Sequence, residues 1–348
     1  MKFMNHLFAS DNCSGVHPVI MSSITSANIG HDLPYGEDSF TLELNCWAGK
    51  TFGNQSLIYP VLTGTGANVL SISSCTRPFN SIICADTAHL NIDECGSPER
   101  FAGTKTIAIQ NRNGKVIPEN LLPALSGFGF QHHSQPALLT ISEATEFGTL
   151  YSPDEIRILA DIVHDRGMLL HMDGARIANA AAALNTGLRE LTTDAGVDIL
   201  SLGGTKNGLM YGECVVFTNP EPAMNFPYIR KQAMQLASKT RYISAQLLAL
   251  YDSDLWLKNA ESANRAAIEL KSRLEKLPWV TLTKPVQTNM VFAVIPAEIR
   301  ERLLEKRFFY VWDETTGEVR WMTSWDTNSE NIDEFVRDLV KASKCQKN

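Results

Sequence analysis

From about residue 58 the chain alternates short apolar runs with stretches of helical periodicity, and this alternation constrains its fold more than any other feature. The runs at 57–62, 81–84, 106–109, 137–141, 168–171, 197–202 and 214–217 read as strands. The clearest helix begins at Ser152-Pro153-Asp154-Glu155. Ser152 suits a cap, Pro153 suits the first turn, and the two acids favour the positive end of the helix dipole. Ile156, Leu159, Ala160 and Val163 then recur at helical spacing, and Gly167 ends the segment before the next run. Strands that alternate with helices in this way imply a mostly parallel sheet joined by right-handed crossovers.

The 348 residues are enough for one large domain and a smaller one. We read residues 1–245 as the large unit with an N-terminal arm, and 246–348 as a small C-terminal α/β unit. In the latter, strands are expected at 280–282, 289–294, 308–312 and 319–322, with helices after Pro296 and Ser329. Residues 1–50 read as irregular. Within them, Gly30 to Asp38 is dense in turn residues, which suits either a loop entering a site or an exposed connector.

Composition excludes several functions. The chain is 44% hydrophobic and 20% charged, with a net charge of −7, which argues against general nucleic-acid binding. No apolar run is long enough to cross a membrane, and the start of the chain lacks the apolar core of a signal peptide. Seven scattered cysteines without a Cys-x-x-Cys pair are expected to be reduced thiols in the cytoplasm. No His/Cys cluster has zinc spacing, and adjacent His132 and His133 read as non-metal.

Two apolar runs end in chemistry. The run at 168–171 leads into His171-Met172-Asp173-Gly174-Ala175-Arg176, and the run at 197–202 into Gly203-Gly204-Thr205-Lys206-Asn207-Gly208. If both are parallel strands, Asp173 and Lys206 lie at strand C-terminal ends, where open α/β sheets bind ligands. A lysine able to form a Schiff base and an aspartate able to hold a pyridinium nitrogen are what pyridoxal phosphate (PLP) most needs. Taken singly, the lysine could be solvated and the Asp-Gly pair a turn.

Three other segments fit the same ligand. Thr63-Gly64-Thr65-Gly66-Ala67-Asn68 follows a strand and can offer peptide N–H groups to a phosphate. It lacks the third glycine of a dinucleotide fingerprint. Asp86-Thr87-Ala88-His89 follows another strand, so His89 could stack on a flat ring or be an ordinary core or surface histidine. Arg320, inside an apolar run, either meets a carboxylate or points to water from an edge strand.

Together with Phe8-Ala9-Ser10-Asp11-Asn12, Gly15-Val16-His17-Pro18, Gly30-His31 and Tyr35-Gly36-Glu37-Asp38, these motifs resemble the low-specificity L-threonine aldolases, in particular the bacterial branch that includes phenylserine aldolases. The resemblance spans nearly the whole chain. It implies the PLP-dependent transferase-like fold (fold type I), and a homotetramer built from dimers with active sites at the dimer interface. It implies that Lys206 carries PLP, Asp173 pairs with the ring nitrogen, His89 stacks on the ring, and Arg176 lies beside it. It further implies that Gly64, Thr65 and Gly66 hold the phosphate, that Ser10 and Arg320 bind the substrate carboxylate, and that Tyr35 reaches towards an active site. Lys239 or Arg241 would add a phosphate contact. The chain departs from the family at Glu143-Ala144-Thr145-Glu146, where many members have a histidine at the last position. This leaves the general base and the aldehyde preference open.

The function expected is cleavage of L-threonine or L-allo-threonine to glycine and an aldehyde by retro-aldol chemistry. The alternatives are a phenylserine-type aldolase, an aminotransferase or β-eliminating lyase on the same fold, and a non-catalytic protein that kept the fold. A nicotinamide dehydrogenase ranks below these because its glycine fingerprint is missing.

Overall fold

The expected strands form. β1 (Leu57–Val61), β2 (Asn80–Ala85), β3 (Lys105–Ile109), β4 (Gln135–Ser142), β5 (Leu169–Gly174), β6 (Ile199–Leu202) and β7 (Glu213–Phe217) build one sheet in the order β1-β7-β6-β5-β4-β2-β3. The molecule is a computed structural model that describes residues 6–344. β2 to β6 are parallel, while β7 runs antiparallel to both β1 and β6. Strands covered on both faces need no polar alternation, and β6 and β7 are buried along their whole length. The register sets Ser142, Asp173 and Ser201 side by side near the C-terminal ends of β4, β5 and β6.

The helix Pro153–His164 starts as its sequence dictates. The Ser152 hydroxyl accepts from the Glu155 N–H, and the Glu155 carboxylate accepts from the Ser152 N–H. Ile156, Leu159, Ala160 and Val163 face the core.

The N-terminal region is more ordered than expected. Helices span Pro18–Ala27 and Ser39–Phe52, capped by the His17 and Asp38 side chains. Leu44, Trp47, Ala48 and Phe52 form a buried stripe at helical spacing. The turn-rich stretch between the two helices splits this periodicity into pieces too short to stand out.

The small sheet is antiparallel, with β8 (Thr281–Leu282), β9 (Met290–Val294), β10 (Tyr310–Asp313) and β11 (Glu318–Met322) in the order β10-β11-β9-β8. The helices Ala297–Leu304 and Ser329–Lys344 pack on it. The two cores divide along the helix Leu255–Leu274 rather than at 245. A cut at 245 would split the helix Arg241–Tyr251, whose Ile243, Leu247, Leu250 and Tyr251 lie in the large core. Ala266, Ala267, Leu270 and Leu274 belong to the small core. The N-terminal arm also joins the small core, through Phe8, whose carbonyl accepts from the Met322 N–H at 2.8 Å.

Cys13, Cys46, Cys75, Cys84, Cys95 and Cys214 are free thiols, and Cys345 lies outside the described residues. Among the described residues, no helix is long and apolar enough to cross a membrane.

Candidate active site

The C-terminal ends of β1, β2, β4, β5 and β6 meet the small sheet around a cavity of about 600 Å³. Ser10, His89, Arg176, Lys206, Tyr310, Trp312 and Arg320 line it. A deeper recess shares His89, Arg176, Lys206 and Arg320 and adds Gly64, Thr65, Asn68, Glu146 and Asp173. The structure therefore brings together the residues singled out in the sequence except Gly66, Tyr35, Lys239 and Arg241. Gly66 lies just outside this lining. Tyr35 is 48% exposed, with its ring under Lys231 and its N–H bonded to the Ser238 carbonyl, and it does not line the cavity of its own chain. His132 and His133 are exposed beside Phe130, away from the cavity lining.

The loops holding Lys206 and Asp173 are pressed together through backbone. A Cβ on Gly203 would fall 2.5 Å from the Ala175 carbonyl oxygen, so only glycine allows this approach. Lys206 is half-buried. Burial, and then the Arg176 charge, hold its amine below the usual lysine range.

Asp173 is buried, which alone would raise its pKa; Lys206 and His89 outweigh this and keep it below the ordinary value. The Asn68 amide donates both to Asp173 Oδ2 at 2.8 Å and to Glu94 Oε1 at 2.9 Å. His89 Nδ1 lies 3.0 Å from that same Glu94 oxygen. The hydrogen bond to Glu94 raises the proton affinity of His89. One amide and one imidazole thus separate two buried acids that would otherwise repel.

Arg176 is fixed by a bidentate pair with Asp11, at 2.7 and 2.9 Å, and Asp11 also accepts from Asn289 at 3.1 Å. Its guanidinium is already neutralised. Arg320 is not. Its guanidinium stacks 4.7 Å from the Trp312 ring, its Nε is buried without a partner, and no acid among the described residues lies within ion-pair distance. β11 is paired on both sides, so Arg320 is not on an edge strand. Burial, and then the Arg176 charge, push its pKa down to about 10.

The helix Gly64–Cys75 begins at the end of β1. Thr63 caps it by accepting from the Gly66 N–H at 3.0 Å, so the N–H groups left for an anion are those of Gly64 and Thr65. Gly66 is kept small by Gln235, whose side chain would lie 2.6 Å from a Cβ.

Sequence reasoning assigned no role to Asp11, Asn68, Glu94, Tyr310 or Trp312. Asp11 and Asn68 stood inside motifs already marked. The others had no local signal.

The fold and this donor set define an α/β enzyme of the PLP-dependent, fold-type-I class. The family model for beta-eliminating lyases matches residues 8–297. The low-specificity L-threonine aldolase of Pseudomonas aeruginosa is 38% identical over 333 residues, covering 95% of this chain and 96% of that one. A solved threonine aldolase from Leishmania major superposes with a TM-score of 0.90 at 26% identity, covering 97% and 99% of the two chains. An alanine–glyoxylate aminotransferase from Nostoc sp. shares the fold at a TM-score of 0.69 and 16% identity, covering 99% and 97%. This chain belongs to the beta-eliminating lyase family and, within it, to the low-specificity L-threonine aldolases.

Proposed function

We propose that the chain is a PLP-dependent aldolase cleaving β-hydroxy-α-amino acids, with L-threonine or L-allo-threonine as default substrates, to glycine and an aldehyde. One observation carries this reading: Lys206 and Asp173 share a cavity with Arg320, a half-buried cation with no ion-pair partner among the described residues. A guanidinium partly withdrawn from water and left unpaired is costly, and a substrate carboxylate on its planar fork would remove that cost.

The residues present fit PLP. Lys206 would hold it covalently, helped by an amine whose proton is loosened by burial. Asp173, kept ionised, would pair with the ring nitrogen. The Gly64 and Thr65 N–H groups would bind the phosphate, with Gly66 allowing the close approach of Gln235. His89 would face the ring from the cavity wall. When bound, PLP supplies an electron sink for the α-carbon of the substrate.

The chain's own residues then do the rest. Arg320 and Ser10 would hold the carboxylate and so set the orientation of the substrate's α-carbon. Arg176, tied to Asp11, holds the arm that carries Ser10 against the cavity. His89, or a water it holds, takes the proton from the β-hydroxyl as the carbon–carbon bond breaks; its hydrogen bond to Glu94 raises its affinity for that proton.

A second aldehyde class is favoured by the cavity walls. Ile92, Tyr310 and Trp312 offer apolar surface in a space of about 600 Å³, which suits an aromatic side chain such as that of phenylserine. We also propose a homotetramer of dimers in which Tyr35 reaches the partner's site and Lys239 or Arg241 meets its phosphate. The exposed apolar side chains of Ile29, Leu33, Tyr228 and Met234 are consistent with a subunit interface. Free thiols and the absence of an apolar spanning helix among the described residues support a cytoplasmic setting.

The test is product analysis of the PLP-loaded enzyme with L-allo-threonine, L-threonine and phenylserine. Equal amounts of glycine and aldehyde are expected, with none from Lys206→Ala. A keto acid without aldehyde would replace this reading by aminotransfer or β-elimination.

A further inference from the structure

We propose that Glu213 is a positioning residue for Lys206: its carboxylate clamps the peptide N–H groups that precede the lysine and lays a negative charge behind the amine. This rests on the reading of Lys206 as the covalently reacting residue.

Glu213 opens β7, an otherwise apolar strand, and is only 8% exposed. A buried carboxylate must be paid for by partners. Its hydrogen-bond partners are in the lysine loop. Oε2 accepts from the Gly204 N–H at 2.6 Å, and Oε1 accepts from the Thr205 N–H at 3.4 Å. No arginine, lysine or histidine among the described residues lies within ion-pair distance of it. The carboxylate therefore binds the two residues immediately before Lys206.

The rest of the loop is held by other contacts. The Tyr251 hydroxyl donates to the Gly203 carbonyl. Gly203 packs on the Ala175 backbone, and Gly204 leaves no room for a Cβ beside Leu209. These fix the start of the loop from one side, and Glu213 holds its next two amides from the other.

The charge adds a smaller contribution to the geometry: burial raises the pKa of Glu213, and its hydrogen bonds to Thr205 and Gly204 and the Lys206 charge act against that rise. Arg176 lowers the proton affinity of Lys206, whereas Asp11, Asp173 and Glu213 raise it, and His89 also faces the amine. Asp11 is already spent on Arg176, and Asp173 is shared with His89 and Asn68. Glu213 faces Lys206, Cys214 and Tyr251, of which Lys206 is the only cation. Removing its charge would therefore lower the proton affinity of Lys206, by less than the loss of Asp11 or Asp173 would.

Two variants separate the two roles. Glu213→Gln keeps an accepting oxygen and removes the charge. Glu213→Asp keeps the charge and withdraws it from the Gly204 N–H. Two readouts are needed. One is the pH dependence of Lys206 labelling by trinitrobenzenesulfonate in the cofactor-free full chain, read by peptide mass spectrometry. The other is the rate at which PLP leaves the loaded enzyme.

Expected are a lowered inflection in Glu213→Gln, and PLP loss accelerated at least tenfold in Glu213→Asp with a near-parental inflection. An unchanged inflection in Glu213→Gln together with unchanged PLP loss in Glu213→Asp would overturn the proposal. If the parent enzyme showed no PLP band abolished by Lys206→Ala, the reading of Lys206 itself would fail, a different result from either of these.

Discussion

Asp11→Asn tests how the N-terminal arm is held to the site. Asp11 is 1% exposed and accepts from Arg176 Nε at 2.7 Å, from Arg176 Nη2 at 2.9 Å and from Asn289 at 3.1 Å. Breaking a buried ion pair by neutralising one partner costs about 3–5 kcal/mol, since the other charge is left uncompensated. Asparagine keeps one accepting oxygen, so the lower end, about 3 kcal/mol, applies. Unfolding entropy is about 2.1 cal/mol/K per residue, so over the 348 residues a loss of this size lowers Tm by about 4 °C. Calorimetry on the cofactor-free protein reads the shift without a contribution from PLP binding. A fall below about 1 °C would refute the reasoning, because the pair would then be worth no more than an exposed one. The double variant Asp11→Asn/Arg176→Met sharpens the test. If the cost comes from an orphaned guanidinium, removing that guanidinium recovers part of it, and the two single losses exceed the double loss. Simple addition of the two losses would contradict the coupling.

Two further perturbations follow from the geometry. Gly203→Ala places a methyl 2.5 Å from the Ala175 carbonyl oxygen, so the Lys206 loop must move off β5; PLP affinity measured by titration should fall at least tenfold, about 1.4 kcal/mol, and an unchanged affinity would contradict the close approach. His171 is fully buried, with Nε2 2.9 Å from the Ser201 hydroxyl, and burial pushes its pKa down to about 4. The unfolded chain therefore binds this proton more readily than the folded one, so stability present above about pH 6.5 is lost as pH falls towards 4. Between pH 7 and 5 the parent should lose about 2 kcal/mol more than His171→Gln, read by urea unfolding at the two pH values. Equal losses would remove His171 as the cause.

The large sheet was legible because its central strands are largely buried, so they appear as nearly uninterrupted apolar runs. The N-terminal helices were not, because each shows its core only a few residues at a time: Ile20 and Ala27 in the first, Leu44, Trp47, Ala48 and Phe52 in the second. Which core receives each C-terminal helix was illegible for a related reason. Periodicity marks a helix and its apolar face, but not which core receives that face, and Arg241–Tyr251 and the end of Leu255–Leu274 go to different cores.

In the site, legibility followed distance along the chain. Lys206 and Asp173 each stand at the end of an apolar run, so their positions at the rim of a sheet could be read locally. The groups that set their charge come from far away: Asp11 meets Arg176 across 165 positions, and Asn68 meets Asp173 across 105. No local pattern encodes such pairs. One signal does carry over. A charged residue inside an apolar strand cannot stay buried without a partner, whether or not that partner is visible in the sequence. That argument singled out Arg320, whose counter-ion the folded chain does not supply. Applied evenly, it would also have singled out Glu213 at the head of Glu213-Cys214-Val215-Val216-Phe217, whose partners prove to be the two amides in front of Lys206. The two strand charges thus have opposite meanings. Glu213 is satisfied within the chain and fixes the lysine, whereas Arg320 is unsatisfied and leaves a place for an anion from outside.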